Sequence, residues 1–316
     1  MDRRVAVNIP AGQPGRGLSR DKLHFLVGLP RIDGSSNAQD VAGGVQDAIA
    51  KIGGAWRGQT APKVRLLPDL LPYEDLLALD GQHPGRGIPI GVNEDSLSPV
   101  YLDFDSDPHF FALMDGESGK TNLLRTIVRG ICDRYTKKDA LILLIDYRRT
   151  MLGYVKTDHL LGYAVSSNQL QGMIKEITGS MRKRLPGPDV TQEQLRNRSW
   201  WKGPELFVIV DDYDLVCPQG NNPLQPLNEF IPQAKDVGMH IIAMRRSGGA
   251  SRAMYDPVLG KLKEIASPAL QGSGSKEEGQ LIGTVRPTAL PPGRGTIVTR
   301  KLGQQLMQIA WIQPEI

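Results

Sequence analysis

The residues best placed to do chemistry form one short run, Asp115-Gly116-Glu117-Ser118-Gly119-Lys120-Thr121. The apolar stretch Phe110 to Leu113 precedes it, and an amphipathic stretch beginning at Asn122 follows. The run therefore joins a strand to the N-terminus of a helix. Backbone N–H groups of such a loop and of the first helical turn point into one concavity and favour a polyphosphate. Lys120 is placed to reach β- and γ-phosphates, and the Thr121 hydroxyl to ligate Mg²⁺. Asn122 completes the set of candidate nucleotide contacts, 115–122. The phosphate-loop pattern has glycine four residues before Ser118, where the backbone turns tightly. This chain has Met114 there, a departure that points to weaker binding and slower turnover.

A second run, Leu206-Phe207-Val208-Ile209-Val210-Asp211-Asp212, is a buried strand ending in paired acids. Asp211 is the candidate that holds Mg²⁺ with Thr121. Asp212 stands where an active enzyme of this kind carries a glutamate that orients the attacking water. It is one methylene shorter, and a misplacement of about 1 Å can cost roughly a hundredfold in rate. A strand ending in a solvated acidic turn would give the same letters, since Asp214 continues the run.

A third strand, Gly238 to Met244, ends in Arg245-Arg246-Ser247. Arg246 is the candidate sensor of the γ-phosphate. Arg252 is a second candidate, either as a local phosphate ligand or as a finger reaching a neighbouring subunit. For both, a surface arginine in a Gly/Ser loop is the competing reading. Asp146-Tyr147-Arg148-Arg149 follows the strand Leu141 to Ile145 and faces either the nucleotide edge or a module interface. Trp200-Trp201 is read as packing rather than as an exposed anchor.

Alternating strands and helices position these residues. Apolar spacing predicts helices over 36–52 (ended by Gly53-Gly54), 73–79, 122–135, 169–185 and 224–235, the last interrupted by prolines. Strands are expected at 23–29, 63–67, 88–92, 100–104, 110–113, 141–145, 206–210 and 239–244. Continuous apolar strands such as Leu141 to Ile145 belong to a parallel sheet covered on both faces. The turn Pro-Gly-Arg-Gly occurs at 14–17, 84–87 and 292–295, as independent turns or as equivalent edges of tandem modules. The turn-rich stretch Pro10 to Gly17 reads as linker.

The bulk composition agrees with a folded protein. Of 316 residues, 40% are hydrophobic and 23% charged. The net charge of +4 permits contact with phosphates or an acidic partner, but an ordinary solvated surface gives the same value. The two cysteines, Cys132 and Cys217, form no CxxC pair, which argues against a disulfide framework or a zinc site. The longest aliphatic run, Leu141 to Ile145, is far short of the ~20 residues that span a bilayer, and Met1 to Val5 begins no signal peptide.

His109-Phe110-Phe111 before the phosphate loop, the loop itself, Asp211-Asp212-Tyr213-Asp214 and Gly238-Met239-His240 resemble the FtsK/SpoIIIE superfamily. More narrowly, Leu29 to Gly34, Gly91 to Glu94, Asp146 to Arg149 and Leu290 to Gly295 resemble the EccC family, the motor ATPases of type VII (ESX) secretion. The resemblance runs over nearly the whole chain. It implies an α/β, RecA-like P-loop fold of the additional-strand class, with a mainly parallel central sheet flanked by helices. It also implies that residues 1–86 are a linker and accessory α/β segment after a preceding module, and that 87–316 are the ATPase domain, similar to the last of three tandem modules.

The function expected from this resemblance is ATP and Mg²⁺ binding with weak hydrolysis, in a module that docks secreted WXG100-type substrates. Its partners would be those substrates and other ATPase modules of the same motor. Its place would be cytoplasmic, in a complex anchored to the membrane through its other parts. Two rivals remain. One is an active DNA translocase using basic clusters such as Lys137-Lys138 and Arg182 to Arg184, although no winged-helix sequence follows the core and nucleic acid is not an expected partner. The other is an adaptor that binds no nucleotide.

Overall fold

The computed structural model describes residues 7, 9, 15–37, 39–61, 64–81, 85–218 and 220–313. By its internal contacts the chain divides into two units, 1–63 and 64–316. Among its described residues the first unit holds an antiparallel pair, β1 (Arg16–Leu18) and β2 (His24–Leu26), and one helix, α1 (Val41–Ala55). Gly53-Gly54 does not end α1. Neither glycine takes positive φ, and the helix runs on until Trp56 turns extended. Arg31 organises the loop before α1, with its guanidinium on Asp33 and on the carbonyl of Asn37 at 2.9 Å. Pro10 to Pro14 lie outside the described residues; Arg16 and Gly17 belong to β1.

The second unit follows in the order α2 (Tyr73–Asp80), β3 (Ile88–Asn93), β4 (Pro99–Leu102), β5 (Phe110–Leu113), α3 (Lys120–Arg134), β6 (Ala140–Ile145), β7 (Leu160–Ala164), α4 (Ser167–Arg182), α5 (Gln192–Asn197), β8 (Glu205–Val210), β9 (Met239–Arg245), α6 (Pro257–Glu264), β10 (Ala269–Gln271), β11 (Arg294–Thr299) and β12 (Gly303–Ile309). Its ten-stranded sheet has the order β4-β3-β12-β11-β10-β5-β9-β8-β6-β7. From β10 to β7 every neighbour is parallel; from β10 to β4 every neighbour is antiparallel.

The parallel strands carry apolar residues on both faces because both faces are covered. Phe111, Leu113, Leu143, Ile145, Val208 and Val210 pack with α4 and α6. The alternating set Phe110, Ala112, Ile142, Leu144, Phe207 and Ile209 packs with α3. Burying each such Leu, Ile, Val or Phe stabilises the fold by roughly 1.5–3 kcal/mol. α3 presents Leu123, Leu124, Ile127, Val128 and Ile131 to that second core, the i, i+1, i+4, i+5, i+8 stripe of an amphipathic helix.

Two expected elements take a different form. The segment 224–235 is not one helix. It makes short 3₁₀ turns at Gln225–Leu227 and Ile231–Gln233, then a four-residue helix at Ala234–Val237. Pro226 and Pro232 lack the N–H an α-helix needs there. The buried residues Leu224, Leu227, Phe230, Ala234 and Val237 recur nearly every three positions, which suits a 3₁₀ turn. Residues 64–67 form no strand, and Lys63 lies outside the described residues. Among the described residues no strand pairs with them to complete a ladder. Instead Arg294 donates to the carbonyls of Leu67 and Pro68, and Leu67, Leu71, Tyr73 and Leu76 pack against Val92 and Ala310.

Candidate functional site

Strand β9 lies between β5, which feeds the phosphate loop, and β8, which ends at Asp211. That inserted strand is the mark of the additional-strand class. The registers Leu113↔Arg245 and Val210↔Ala243 bring the loop, the paired acids and Arg245-Arg246 to one carboxyl edge of the sheet. Ligands of open α/β sheets bind in the crevice at this edge.

The loop is supported from behind by backbone. Asp115 N–H donates to Ser273 O at 2.9 Å, and Gly293 N–H donates to Ser118 O at 2.9 Å. The third Pro-Gly-Arg-Gly turn thus holds the phosphate loop, and Arg294 then opens β11; the second copy is followed at Ile88 by β3. Gly119, at φ 105°, needs a residue without Cβ, which would otherwise point at Gly293. Residues 116–117 close a turn over Asp115, and among the described residues the amides of Gly116, Glu117, Gly119, Lys120 and Thr121 have no backbone or side-chain acceptor. An unpartnered row of amides at a helix N-terminus is the feature that a polyphosphate satisfies.

Lys120 and Asp211 lie on the same side of the molecule. The Lys120 ammonium is buried, bonded to Asp115 O at 3.2 Å and 3.9 Å from Asp212 Oδ1. Thr121 Oγ1 donates to Asp211 Oδ2 at 3.1 Å. Ser118 Oγ donates to Asp115 O at 2.7 Å. Burial pushes the Asp211 carboxyl above its ordinary value, the neighbouring Asp212 and Asp146 add to the rise, and hydrogen bonds from Thr150 and Thr121 counter it. A hydroxyl and one carboxylate suit Mg²⁺, which keeps most of its shell as water and phosphate oxygen.

Asp212 is 8% exposed and sits at φ 47°, a left-handed conformation uncommon for a residue with a side chain. Glu117 at φ 58° and Arg149 at φ 60° share this feature around the same crevice. Asp212 Oδ2 forms an ion pair with Arg148, 3.0 Å from its Nε.

Asn122 lies beside the loop but faces elsewhere: its amide donates to Ala310 O at 2.6 Å, and its oxygen accepts from Ile312 N at 2.9 Å. It ties α3 to the end of β12. Arg246 pairs with Asp214, Nε to Oδ2 at 2.8 Å. Burial works against the Asp214 charge, but Arg246 keeps that carboxyl below its usual range. Exposed Arg252 lines a cavity of about 770 Å³ with Tyr213, Asn222, Arg245 and Tyr255. Trp200 and Trp201 are half-buried, donating to the carbonyls of Arg184 and Asp236, both at 2.7 Å.

Two site residues escaped the sequence. Thr150 Oγ1 donates to Asp211 Oδ2 at 2.9 Å, beside Thr121. Gly272 accommodates Met114: a Cβ on Gly272 would lie 2.7 Å from Met114 Cγ. The Asp146 to Arg149 loop lies on the nucleotide edge. Buried Asp146 fixes it by accepting from Arg148 N, Met151 N and Tyr163 OH at 3.1, 2.7 and 2.9 Å.

No protein-family profile matches the chain. Over 311 residues it is 50% identical to the ESX secretion system protein EccC of Thermomonospora curvata, covering 98% of this chain and 23% of that protein. It is 41% identical over 314 residues to the ESX-4 secretion system protein EccC4 of Mycobacterium tuberculosis, covering 99% and 24%. The chain thus spans about a quarter of the length of these curated relatives. Among solved structures, Thermomonospora curvata EccC (ATPases 2 and 3) in complex with a signal sequence peptide superposes with a TM-score of 0.83 at 50% identity, over 99% of this chain and 56% of that one. No described helix is long and apolar enough to cross a membrane.

Proposed function

The chain belongs to the EccC family of type VII (ESX) secretion ATPases, with an FtsK/SpoIIIE-like P-loop fold, and on that premise we propose that it binds magnesium–ATP and hydrolyses it weakly while docking secreted WXG100-type substrates. The observation that carries the nucleotide part is the 3.1 Å contact between Thr121 and Asp211, with the Lys120 ammonium beside Asp212. Gly116, Glu117, Ser118, Gly119 and Lys120 would cradle the phosphates, and Thr121 and Asp211 would hold the metal. The bound Mg²⁺ would neutralise phosphate charge; the protein's part is to fix where that charge sits.

Weak hydrolysis is supported by Asp212. Its carboxylate is short, its backbone is constrained, and Arg148 occupies one oxygen. The test is equilibrium binding of fluorescent ATP with Mg²⁺. Wild type should bind, and Lys120→Ala should lose at least about tenfold, since a charge-assisted bond contributes roughly 1.5–3 kcal/mol. No binding by wild type would favour the adaptor reading. A steady-state turnover assay then compares wild type with Asp212→Glu. Fast, DNA-stimulated turnover by wild type would favour the translocase.

For docking, the supporting feature is an apolar groove of about 370 Å³ between β7 and α4, lined by Leu141, Leu161, Met173, Ile177 and Met181, with Glu176 and Arg184 among its polar residues. Its apolar lining, including the adaptable Met173 and Met181, suits the apolar face of a short helix, and the relative above was solved with a signal sequence peptide. A C-terminal peptide of a secreted partner should bind in calorimetry, and Met173→Lys should abolish that binding. Absence of peptide binding in every nucleotide state would defeat the docking reading. The whole motor's other ATPase modules are the further partners, in a complex whose membrane anchor lies in its other parts.

A further inference from the structure

Two cations share one carboxylate at the mouth of the phosphate loop. Lys120 Nζ lies 3.9 Å from Asp212 Oδ1, and Arg148 Nε lies 3.0 Å from Asp212 Oδ2. Asp212 thus acts as an internal anion between an ammonium and a guanidinium. The lysine of a phosphate loop reaches the β- and γ-phosphates. Arg148 is a second cation, separated from that lysine only by the Asp212 carboxylate.

We propose that Arg148 reads the third phosphate: it pairs with Asp212 while the site holds no triphosphate, and transfers its guanidinium to the γ-phosphate when one binds. The loop is built for this exchange. Its backbone is fixed by Asp146, which accepts from Arg148 N–H at 3.1 Å and Met151 N–H at 2.7 Å. The guanidinium end is open to solvent, since the Arg148 side chain is 55% exposed while that of Asp212 is only 12% exposed. A guanidinium can meet two oxygens of a phosphate as readily as it meets a carboxylate, and the doubly charged terminal phosphate is the stronger partner. Neither arginine favoured by the sequence pairs with the carboxylate beside Lys120. Arg246 pairs instead with Asp214, which its backbone N–H also reaches, and Arg252 lines the cavity beside Tyr255. A diphosphate lacks the group that Arg148 would meet, so the pair with Asp212 persists and the residue discriminates between the two nucleotides.

This inference rests on the nucleotide-binding reading, and its test separates the two. Magnesium–ATP and magnesium–ADP, each with a fluorescent ribose label, are titrated into the full chain. Arg148→Ala should weaken ATP binding by about ten- to a hundredfold and change ADP binding by less than about twofold. Arg148→Lys should recover part of the ATP affinity. Asp212→Asn, which weakens the internal pair, should tighten ATP binding. If Arg148→Ala fails to fold, Arg148→Gln replaces it, with melting temperature as the control. An ATP-to-ADP affinity ratio unchanged by removing the guanidinium overturns the inference, whether both affinities stay the same or fall together. Absence of binding to either nucleotide by wild type sinks the function and this inference together.

Discussion

Thr121 and Asp211 are 90 positions apart and meet at 3.1 Å, hydroxyl to carboxylate, at the open edge of the sheet. The contact needs β5 and β8 in parallel with β9 between them, so that the loop after one strand and the acid after the other reach the same level. Thr150 donates to the same Asp211 oxygen at 2.9 Å, which leaves that carboxylate aimed and polarised. Thr121→Val should therefore lower nucleotide affinity in magnesium while leaving affinity in EDTA unchanged. The expected loss is about tenfold, the scale of one charge-assisted contact. Titrations with and without metal check it; an equal loss in both would show that Thr121 serves the loop rather than the metal.

The pH dependence follows from the same carboxyl. Burial raises the Asp211 pKa above its ordinary value of 3.8, so a proton competes with Mg²⁺ at pH values where an exposed aspartate would remain charged. Magnesium–nucleotide affinity should fall on acidification before ordinary carboxylates titrate, by up to about tenfold per pH unit below the pKa. The folded state also holds this proton more tightly than the unfolded chain, so ionised Asp211 lowers the stability of the metal-free protein above that pH. Asp211→Asn should flatten the affinity profile and raise the melting temperature of the metal-free protein at neutral pH. A lowered melting temperature would contradict the sign of the shift.

His109 gives an opposite case, remote from the nucleotide. Its ring is buried in the strand layer, with Nε2 3.2 Å from Ile231 O and Nδ1 accepting from Ile241 N at 3.0 Å. That pattern selects the neutral form, and burial pushes the pKa from 6.5 down to about 3, with His240 nearby adding to the fall. Below pH 6.5 the unfolded chain takes a proton that the folded chain refuses. The stability contributed by neutral His109 is thus complete above that pH and is lost progressively toward pH 3. At pH 5 the loss from this group is about 2 kcal/mol. Urea unfolding at pH 7 and pH 5 measures it, and His109→Gln should be less acid-sensitive by that amount. Identical pH slopes in the two proteins would refute the assignment.

The parts of the fold legible in the sequence were those where one physical signal dominates. Leu206 to Val210 has no polar residue, which suits a strand covered on both faces, and Asp115 to Thr121 carries its chemistry in consecutive positions. The segment 224–235 departs from the predicted helix because its apolar period is close to three and its prolines forbid the α-helix that the apolar content suggests. Arg148 and Thr150 could not be placed because their meaning depends on contacts 64 and 61 positions away, at Asp212 and Asp211. Asn122, beside the loop in sequence, lies on the side of α3 that meets β12, a direction fixed only when that strand returns. Local pattern reports burial and backbone shape; which polar group faces which is decided by strand order.

Met114 shows how a departure from the loop pattern is accommodated. Its side chain is fully buried in the core beneath the loop, so the position is used for packing. Gly272 supplies the space, because a Cβ there would lie 2.7 Å from Met114 Cγ and 3.0 Å from its Cε. Gly272→Ala should therefore destabilise by about 1–3 kcal/mol through overpacking. Met114→Ala should cost about 2–5 kcal/mol through the cavity it leaves. Together the two changes should cost less than their sum, by roughly 1 kcal/mol or more, because the added methyl enters the vacated volume. Denaturant unfolding of the four proteins closes the cycle. Strict additivity would mean that the two residues do not share that space and that the loop entrance adapts to Met114 by some other displacement.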